Sequence, residues 1–370
     1  MYFAEELGMH IVSRYDILRE ILRDPKTYSN EVGDFMLKAQ QMRVAAASPE
    51  TKEALNHIEE QFITDVPTLL TLDRPKHTVY RSLVEKLFTA SRIKSAGPSV
   101  QKVIDEVIAA ADGDRSIKFI SRIAFPIPVT IIFDLLGVPE EHREAFELGA
   151  AIFADALRIK FFEDEELVRR AQIQLDLQQL ILRTFEERRN EPRDDMISIL
   201  ATSRLDEEDR PLMYSEAWSI LRQFLVAGQE TTTAAFGWGM IALCERPELQ
   251  DELRSHPEKI RTFVEEILRT ESPVQGFPKI VTADTEIGGY PLKAGDVVML
   301  RFGAANRDEC VFEAPDEIDL DRSKAGMHMA FGSGIHHCMG APLARQELNL
   351  GFATLLRRTK NLSLDLDIMY

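Results

Sequence analysis

The sequence predicts a mainly α protein with a small β component (α+β), and three observations carry that prediction. Apolar residues recur at helical spacing through most of the chain, with prolines and capping residues where the periodic stretches begin. One such stretch, Ser215 to Arg246, is apolar nearly all round; at 1.5 Å per residue it makes a helix of ~45 Å, long enough to be a spine through the core. Period-two alternation is concentrated in Ile280 to Leu300, broken by turns at Gly288-Gly289 and Ala294-Gly295-Asp296, which marks small sheets.

The 370 residues are 45% apolar and 28% charged, the balance of a globular chain that builds a large core without staples. No Ser/Gly linker, repeat or low-complexity run divides them, so residues 1–370 are expected to form a single domain. Cys244, Cys310 and Cys338 are too few and too scattered for a disulfide framework, and no charged-apolar-small leader opens the chain, so a reducing cytoplasm is the expected location. The most apolar run, Phe125 to Val138, is interrupted by Pro126, Pro128 and Asp134 and is too short to span a bilayer; no membrane association is expected. A net charge of -17 argues against nucleic acid, because phosphate binding needs clustered Lys and Arg, yet leaves room for a local basic patch facing an acidic partner.

Taken in order, Ile11-Val12-Ser13 reads as extended and Tyr15 to Arg23 as a helix stopped before Pro25. Helices are predicted from Pro49 to Ile63 and from Pro75 to about Phe88; on the second, His77 and Arg81 are four apart and share a face. Helical patterns continue from Ile93 to Ala111 and from Ile120 to Leu136, where Gly137-Val138-Pro139 ends the run. His142 to Arg189 reads as two amphipathic helices split near Glu163-Asp164-Glu165, with Phe146, Ile152, Phe153, Ala156, Leu157 and Phe161 at apolar positions, followed by a short helix from Asp194 to Ser203. Ser215 is expected to cap the long helix. In its middle, Gly228, Glu230 and the hydroxyls of Thr231, Thr232 and Thr233 lower helix propensity, so they are either compensated or serve a purpose. Pro247 and Pro257 start two further helices, the second carrying Glu266 and Arg269 on one face. A last helix runs from Pro342 to Arg357, and a short strand is predicted from Leu362 to Leu366.

The chain is organised around Phe331-Gly332-Ser333-Gly334-Ile335-His336-His337-Cys338-Met339-Gly340. This stretch puts one cysteine between a glycine-rich loop and the start of a helix. Glycines let main chain pass close to a flat, bulky group, and Pro342 suits a first helical turn. Backbone N–H groups and the positive helix end favour a thiolate at Cys338, the form a soft metal-binding sulfur requires.

The pattern resembles the haem-ligand signature of the cytochrome P-450 family. Phe331, Gly334, His336, Cys338 and Gly340 each match a motif position, and Leu343-Ala344-Arg345 with Glu347 match the helix after it. The resemblance runs from about Ile11 to Leu366, with the cysteine loop, the Glu-Thr helix and the Glu-x-x-Arg pair in the family's order and spacing. It implies a helix-rich triangular prism with a long central helix and small β-sheets at one edge. It also implies haem b (iron protoporphyrin IX) with Cys338 as the axial ligand of the iron, His77 and Arg81 gripping a propionate, and Phe331, Gly332, His336, Gly340 and Ala227 lining the cofactor. Lys279 stands where relatives commonly carry a propionate-binding arginine, so a point charge replaces a planar fork.

By the same resemblance Ala227-Gly228-Gln229-Glu230-Thr231-Thr232 is an oxygen-binding groove in which Glu230 and Thr231 deliver protons, the Thr231 hydroxyl bonding back to the Ala227 carbonyl. Phe224, Ala227, Val274, Gly276 and Phe277, with the lid made by the pair of helices after His142, are expected to line the pocket of a small apolar substrate. Glu266, Arg269 and Arg322 are expected to form a buried network supporting the haem face. The implied reaction is monooxygenation of a C–H bond with O2 as co-substrate. No flavin or nicotinamide domain follows, so electrons are expected from NAD(P)H through a reductase and a ferredoxin or flavodoxin; Lys76, Arg81 and Arg345 are expected to steer that acidic protein to the cysteine face. Relatives carry several tens of residues before this start and a C-terminal hairpin beyond this end, so both termini look short. Three alternatives stand beside this reading: a zinc site at His336, His337 and Cys338, a haem-binding sensor or carrier without turnover, and a peroxide-driven oxidase. Adjacent ligands rarely converge on one tetrahedral ion, and the Glu230-Thr231 pair favours dioxygen with external electrons.

Overall fold

The computed structural model describes residues 1–33, 47–154, 162–205 and 210–365; Ala156, Leu157, Phe161 and the end of the Leu362–Leu366 strand lie outside the described residues. The α-helices in chain order are α1 (Tyr15–Arg23), α2 (Pro49–Glu59), α3 (Lys76–Glu85), α4 (Ala90–Ala109), α5 (Pro126–Leu136), α6 (Arg143–Ala154), α7 (Asp164–Asn190), α8 (Met196–Thr202), α9 (Tyr214–Glu245), α10 (Pro247–Ser255), α11 (Ile260–Glu271), α12 (Phe302–Ala305) and α13 (Ala341–Arg358). The strands are β1 (Tyr2–Ala4), β2 (Met9–Val12), β3 (Tyr28–Ser29), β4 (Arg204–Leu205), β5 (Arg210–Pro211), β6 (Phe277–Val281), β7 (Thr285–Ile287), β8 (Tyr290–Leu292) and β9 (Val297–Leu300). Helices dominate, as the periodicity predicts.

The chain forms two compact units, one of residues 1–30, 88–128 and 230–370, the other of residues 31–87 and 129–229. Two of the boundaries fall inside helices, in α5 between Pro128 and Val129 and in α9 between Gln229 and Glu230. In the first unit a five-stranded sheet has the order β1-β2-β9-β6-β3, in which β2 and β9 are parallel and the other neighbours antiparallel. Val12, Leu18, Ile21, Val298, Leu300 and Phe312 form the core beside it. A second core of this unit joins α9, α11 and α13: the Phe352 ring lies 5.4 Å from Phe236 and 5.2 Å from Phe263. Gly239 and Gly351 admit these rings, because a Cβ at either would overlap the Phe352 or Phe236 side chain. In the second unit, buried Arg188 donates to the Asp195 carboxylate at 2.9 Å and to the Gly137 carbonyl at 2.9 Å. This ties the carboxyl end of α7 to the turn after α5 and to the start of α8.

The structure corrects several boundaries. Ile120 to Leu136 is not one α-helix: Ile120–Ala124 is a π-turn closed by the Phe125 N–H on the Ile120 carbonyl at 2.8 Å, and α5 starts afresh at Pro126. Pro126 and Pro128 lack the N–H groups a continuous ladder needs. Ser215 does not cap α9, which begins at Tyr214; Glu216 does that work, accepting the Met213 N–H at 2.7 Å while paired with Arg210 and Tyr80. The segment from Leu362 to Asp365 forms no strand; the Gln250 amide takes both main-chain groups of Leu362, at 2.8 and 2.9 Å. The helix predicted from Pro49 ends at Glu59. Among the described residues, no helix is long and apolar enough to cross a membrane.

Candidate functional site

The cysteine loop is built by turns that glycine makes accessible. Gly332 and Gly334 have φ of 66° and 73°, and a Cβ at Gly334 would overlap the Leu22 carbonyl at the end of α1. The loop closes through the Cys338 N–H on the Phe331 carbonyl at 2.9 Å and the Gly332 N–H on the Met329 carbonyl at 2.9 Å, with a 3-10 turn at Gly334–His336 between them. Cys338 is exposed and in no disulfide among the described residues, whereas Phe331, His336 and Gly340 are half-buried. A Cβ on Gly340 would lie 3.8 Å from the Cys338 sulfur, so the thiol sits close to the amino end of α13. Among the described residues no side chain caps that end, and its positive dipole lies close to the sulfur.

On α9, Phe224, Ala227 and Thr231 fall on one face at helical spacing, with Glu230 beside them. Ala227 is exposed and Glu230 and Thr231 are half-buried, while Gln229, Thr232 and Thr233 are turned inward; the Thr233 hydroxyl donates to the Ala124 carbonyl at 3.3 Å. The three threonines therefore divide between an open stripe and a packed one. Gly228 lets α5 approach, since a Cβ there would lie 2.6 Å from Ile132 Cδ1.

His77 and Arg81 lie on α3 in the second unit, His77 buried and Arg81 half-buried. Lys279 on β6 is buried in the first unit, where its ammonium donates to Asn30 Oδ1 and faces the Tyr28 carbonyl. Near it, Val274 is exposed, Phe277 packs partly against the sheet core, and Gly276 is required because a Cβ would overlap the Leu300 carbonyl.

Glu266 is fully buried and central to a charge network. It accepts from Arg269 Nε and Nη2 at 2.7 and 2.9 Å, from Arg322 Nε at 2.9 Å and from the Asp319 N–H at 3.0 Å. Burial alone would raise its pKa; the bonds from Arg269, Asp319 and Arg322 outweigh it and hold the carboxyl below its usual range. Arg269 also donates to the carbonyls of Asn306 and Glu317.

Sequence reasoning missed the adjacent acid. Glu265 accepts a forked pair of bonds from Arg345, at 2.6 and 2.9 Å, and meets His328 Nε2 at 3.1 Å. Arg345, expected on a docking face, is half-buried and spends its fork on this carboxylate. The doubled acid Glu265-Glu266 is the signal in the sequence that two anchors leave α11. Among the described residues no three His, Cys, Asp or Glu side chains converge on one metal ion, so the zinc alternative lacks a ligand set.

The cytochrome P450 family model matches residues 55–261 and 259–361. The polyketide biosynthesis cytochrome P450 PksS of Bacillus subtilis is 31% identical over 356 residues, 96% of this chain and 82% of that protein. The 6-deoxyerythronolide B hydroxylase of Saccharopolyspora erythraea is 33% identical over 297 residues, 80% of this chain and 72% of that protein. Among solved structures, cytochrome P450 CYP109E1 from Bacillus megaterium in complex with corticosterone aligns with a TM-score of 0.79 at 30% identity, covering 96% of this chain and 86% of that one. The chain belongs to the cytochrome P450 family, and it is a monooxygenase.

Proposed function

We propose that Cys338 is the thiolate that holds a haem b and that the chain inserts one oxygen atom from O2 into a C–H bond of a small apolar substrate. The observation that carries this reading is an exposed thiol near the amino end of α13, in a loop turned by two glycines at positive φ, one of them, Gly334, with no room for a Cβ. The residues fit the cofactor in their chemistry: a soft sulfur donor, glycines at close approach, and an open stripe at Ala227 on the long helix. His77, Arg81 and Lys279 are the cations for its propionates, with Phe331, Gly332, His336 and Gly340 around the sulfur. When bound, the haem supplies dioxygen activation.

The protein's own share is positioning and proton delivery. The helix end and the Cys338 N–H bond to Phe331 keep the sulfur in place and favour its ionised form. Thr231 offers a hydroxyl that both donates and accepts, and the Glu230 carboxyl next to it picks up protons from solvent and passes them inward. Phe224 and Ala227 on α9, and Val274, Gly276 and Phe277 at or just before the start of β6, are the side chains and backbone offered to an apolar substrate. Electrons come from NAD(P)H through a reductase and a ferredoxin or flavodoxin in the reducing cytoplasm, a setting that three scattered cysteines fit.

The Glu230-Thr231 pair separates turnover from mere binding. Thr231→Ala should bind substrate and accept electrons yet divert reducing equivalents to free hydrogen peroxide. Glu230→Gln keeps the shape and loses the proton carrier, so turnover should fall by ~10²-fold. Product formed per NAD(P)H consumed, with peroxide release, measures both. Full coupling in the first variant and normal turnover in the second would favour a haem sensor or carrier.

A further inference from the structure

Glu265 and Glu266 are consecutive on α11, so their side chains leave the helix about 100° apart. Glu266 holds the segment around Arg322. Glu265 reaches two other pieces of chain, His328 just before the cysteine loop and Arg345 on the helix just after it, 63 and 80 residues away. Both are therefore fastened to one carboxylate, on either side of Cys338.

The geometry defines the protonation of this cluster. His328 Nδ1 accepts the Ala330 N–H at 3.2 Å, which leaves the ring proton on Nε2 to be donated to Glu265 Oε2. Arg345 spends Nε and Nη2 on the same carboxylate as a planar fork. Burial on its own would raise the Glu265 pKa, but the bonds from His328 and Arg345 bring it down to about 2, so the group is an anion at neutral pH. Phe331 lies within reach of both partners, 4.6 Å from the Arg345 guanidinium and 5.8 Å from the His328 ring. The Phe331 carbonyl in turn receives the Cys338 N–H. A continuous path of contacts runs from Glu265 through Arg345 and His328 to Phe331 and so to the main chain of Cys338.

We propose that Glu265, His328 and Arg345 are positioning residues for Cys338: a clamp that fixes Phe331, and through it the main-chain bond that sets where the sulfur points. This rests on the reading of Cys338 as the haem thiolate.

Two variants and two readouts test the clamp. Glu265→Gln keeps the volume but removes the anion and presents an amide to donors that need acceptors; Arg345→Lys keeps the charge but replaces the fork with a point. Amide hydrogen exchange of residues 329–338 in the purified protein should rise by ~10-fold or more in Glu265→Gln, with exchange in α4 and α9 unchanged. The share of haem-loaded protein that shows the red-shifted Soret band of a thiolate complex, when reduced under carbon monoxide, should fall several-fold. Arg345→Lys should move both readouts in the same direction by less, and it decides the matter if Glu265→Gln yields no soluble protein. Wild-type exchange and a wild-type spectrum in the variant that folds would overturn the clamp. If the wild-type protein itself lacks the thiolate band while loop exchange still responds to Glu265→Gln, the clamp stands and the haem reading of Cys338 falls.

Discussion

Replacing Glu266 by Ala should destabilise the protein far more than removal of an ordinary surface acid. Glu266 has no exposed area, and its carboxylate receives four hydrogen bonds, three of them from Arg269 and Arg322. Arg269 is also fully buried, so the truncation strands a guanidinium that keeps only carbonyl partners. Breaking a buried pair by removing one member costs about 3–5 kcal/mol. With an unfolding entropy of ~2.1 cal/mol/K per residue, 370 residues give ~0.8 kcal/mol/K, so a loss of ~4 kcal/mol lowers Tm by ~5 °C. Glu266→Gln keeps the volume and one acceptor and should lose less. Thermal unfolding followed by circular dichroism reads both variants. A Tm for Glu266→Ala within about 1 °C of wild type would refute the reasoning that this network is a buried, charge-compensated support.

Two further variants test other buried charges. Asp195→Ala should cost about 3 kcal/mol or more, because it strands Arg188 and removes the oxygen that caps α8 through the Ser198 N–H at 2.7 Å; Asp195→Asn, which can keep the cap, should lose less, and equal Tm values for the two would contradict this division. Glu347 on α13 is wholly buried, and burial pushes its carboxyl up to about 8. The folded state therefore prefers the neutral acid: this group's contribution is fully present below its ordinary pKa and is lost as pH rises to about 8. Glu347→Gln removes that loss, so its Tm relative to wild type should climb between acid and mildly alkaline solution; a pH-independent difference would contradict the assignment.

What could be read from the sequence was what local chemistry determines. Glycines at 332 and 334, a cysteine before Pro342 and an acid-hydroxyl pair inside an apolar helix each constrain a few neighbouring residues, and the structure places them in a closed loop, an uncapped helix start and an open helical stripe. Boundaries went astray where a side chain took over main-chain bonding, as Glu216 does at the start of α9 and Gln250 does at Leu362. The partners of Glu265 were illegible for a different reason. Periodicity places Glu265 on α11 but carries no information about residues 63 and 80 positions later, and a basic side chain near the start of α13 looks the same in sequence whether it meets solvent or a buried acid. The sequence shows Arg345 only as a cation after the cysteine loop; its fork on Glu265 appears in the structure alone.

The central claim is that the exposed sulfur of Cys338 would hold a haem. Its most direct test is the absorption spectrum of the reduced protein under carbon monoxide, compared with Cys338→Ser. The wild-type protein should show the red-shifted Soret band of a thiolate-ligated haem, and the variant should lose it. A histidine-type Soret band in the wild type, or a thiolate-type band that survives in Cys338→Ser, would contradict the account.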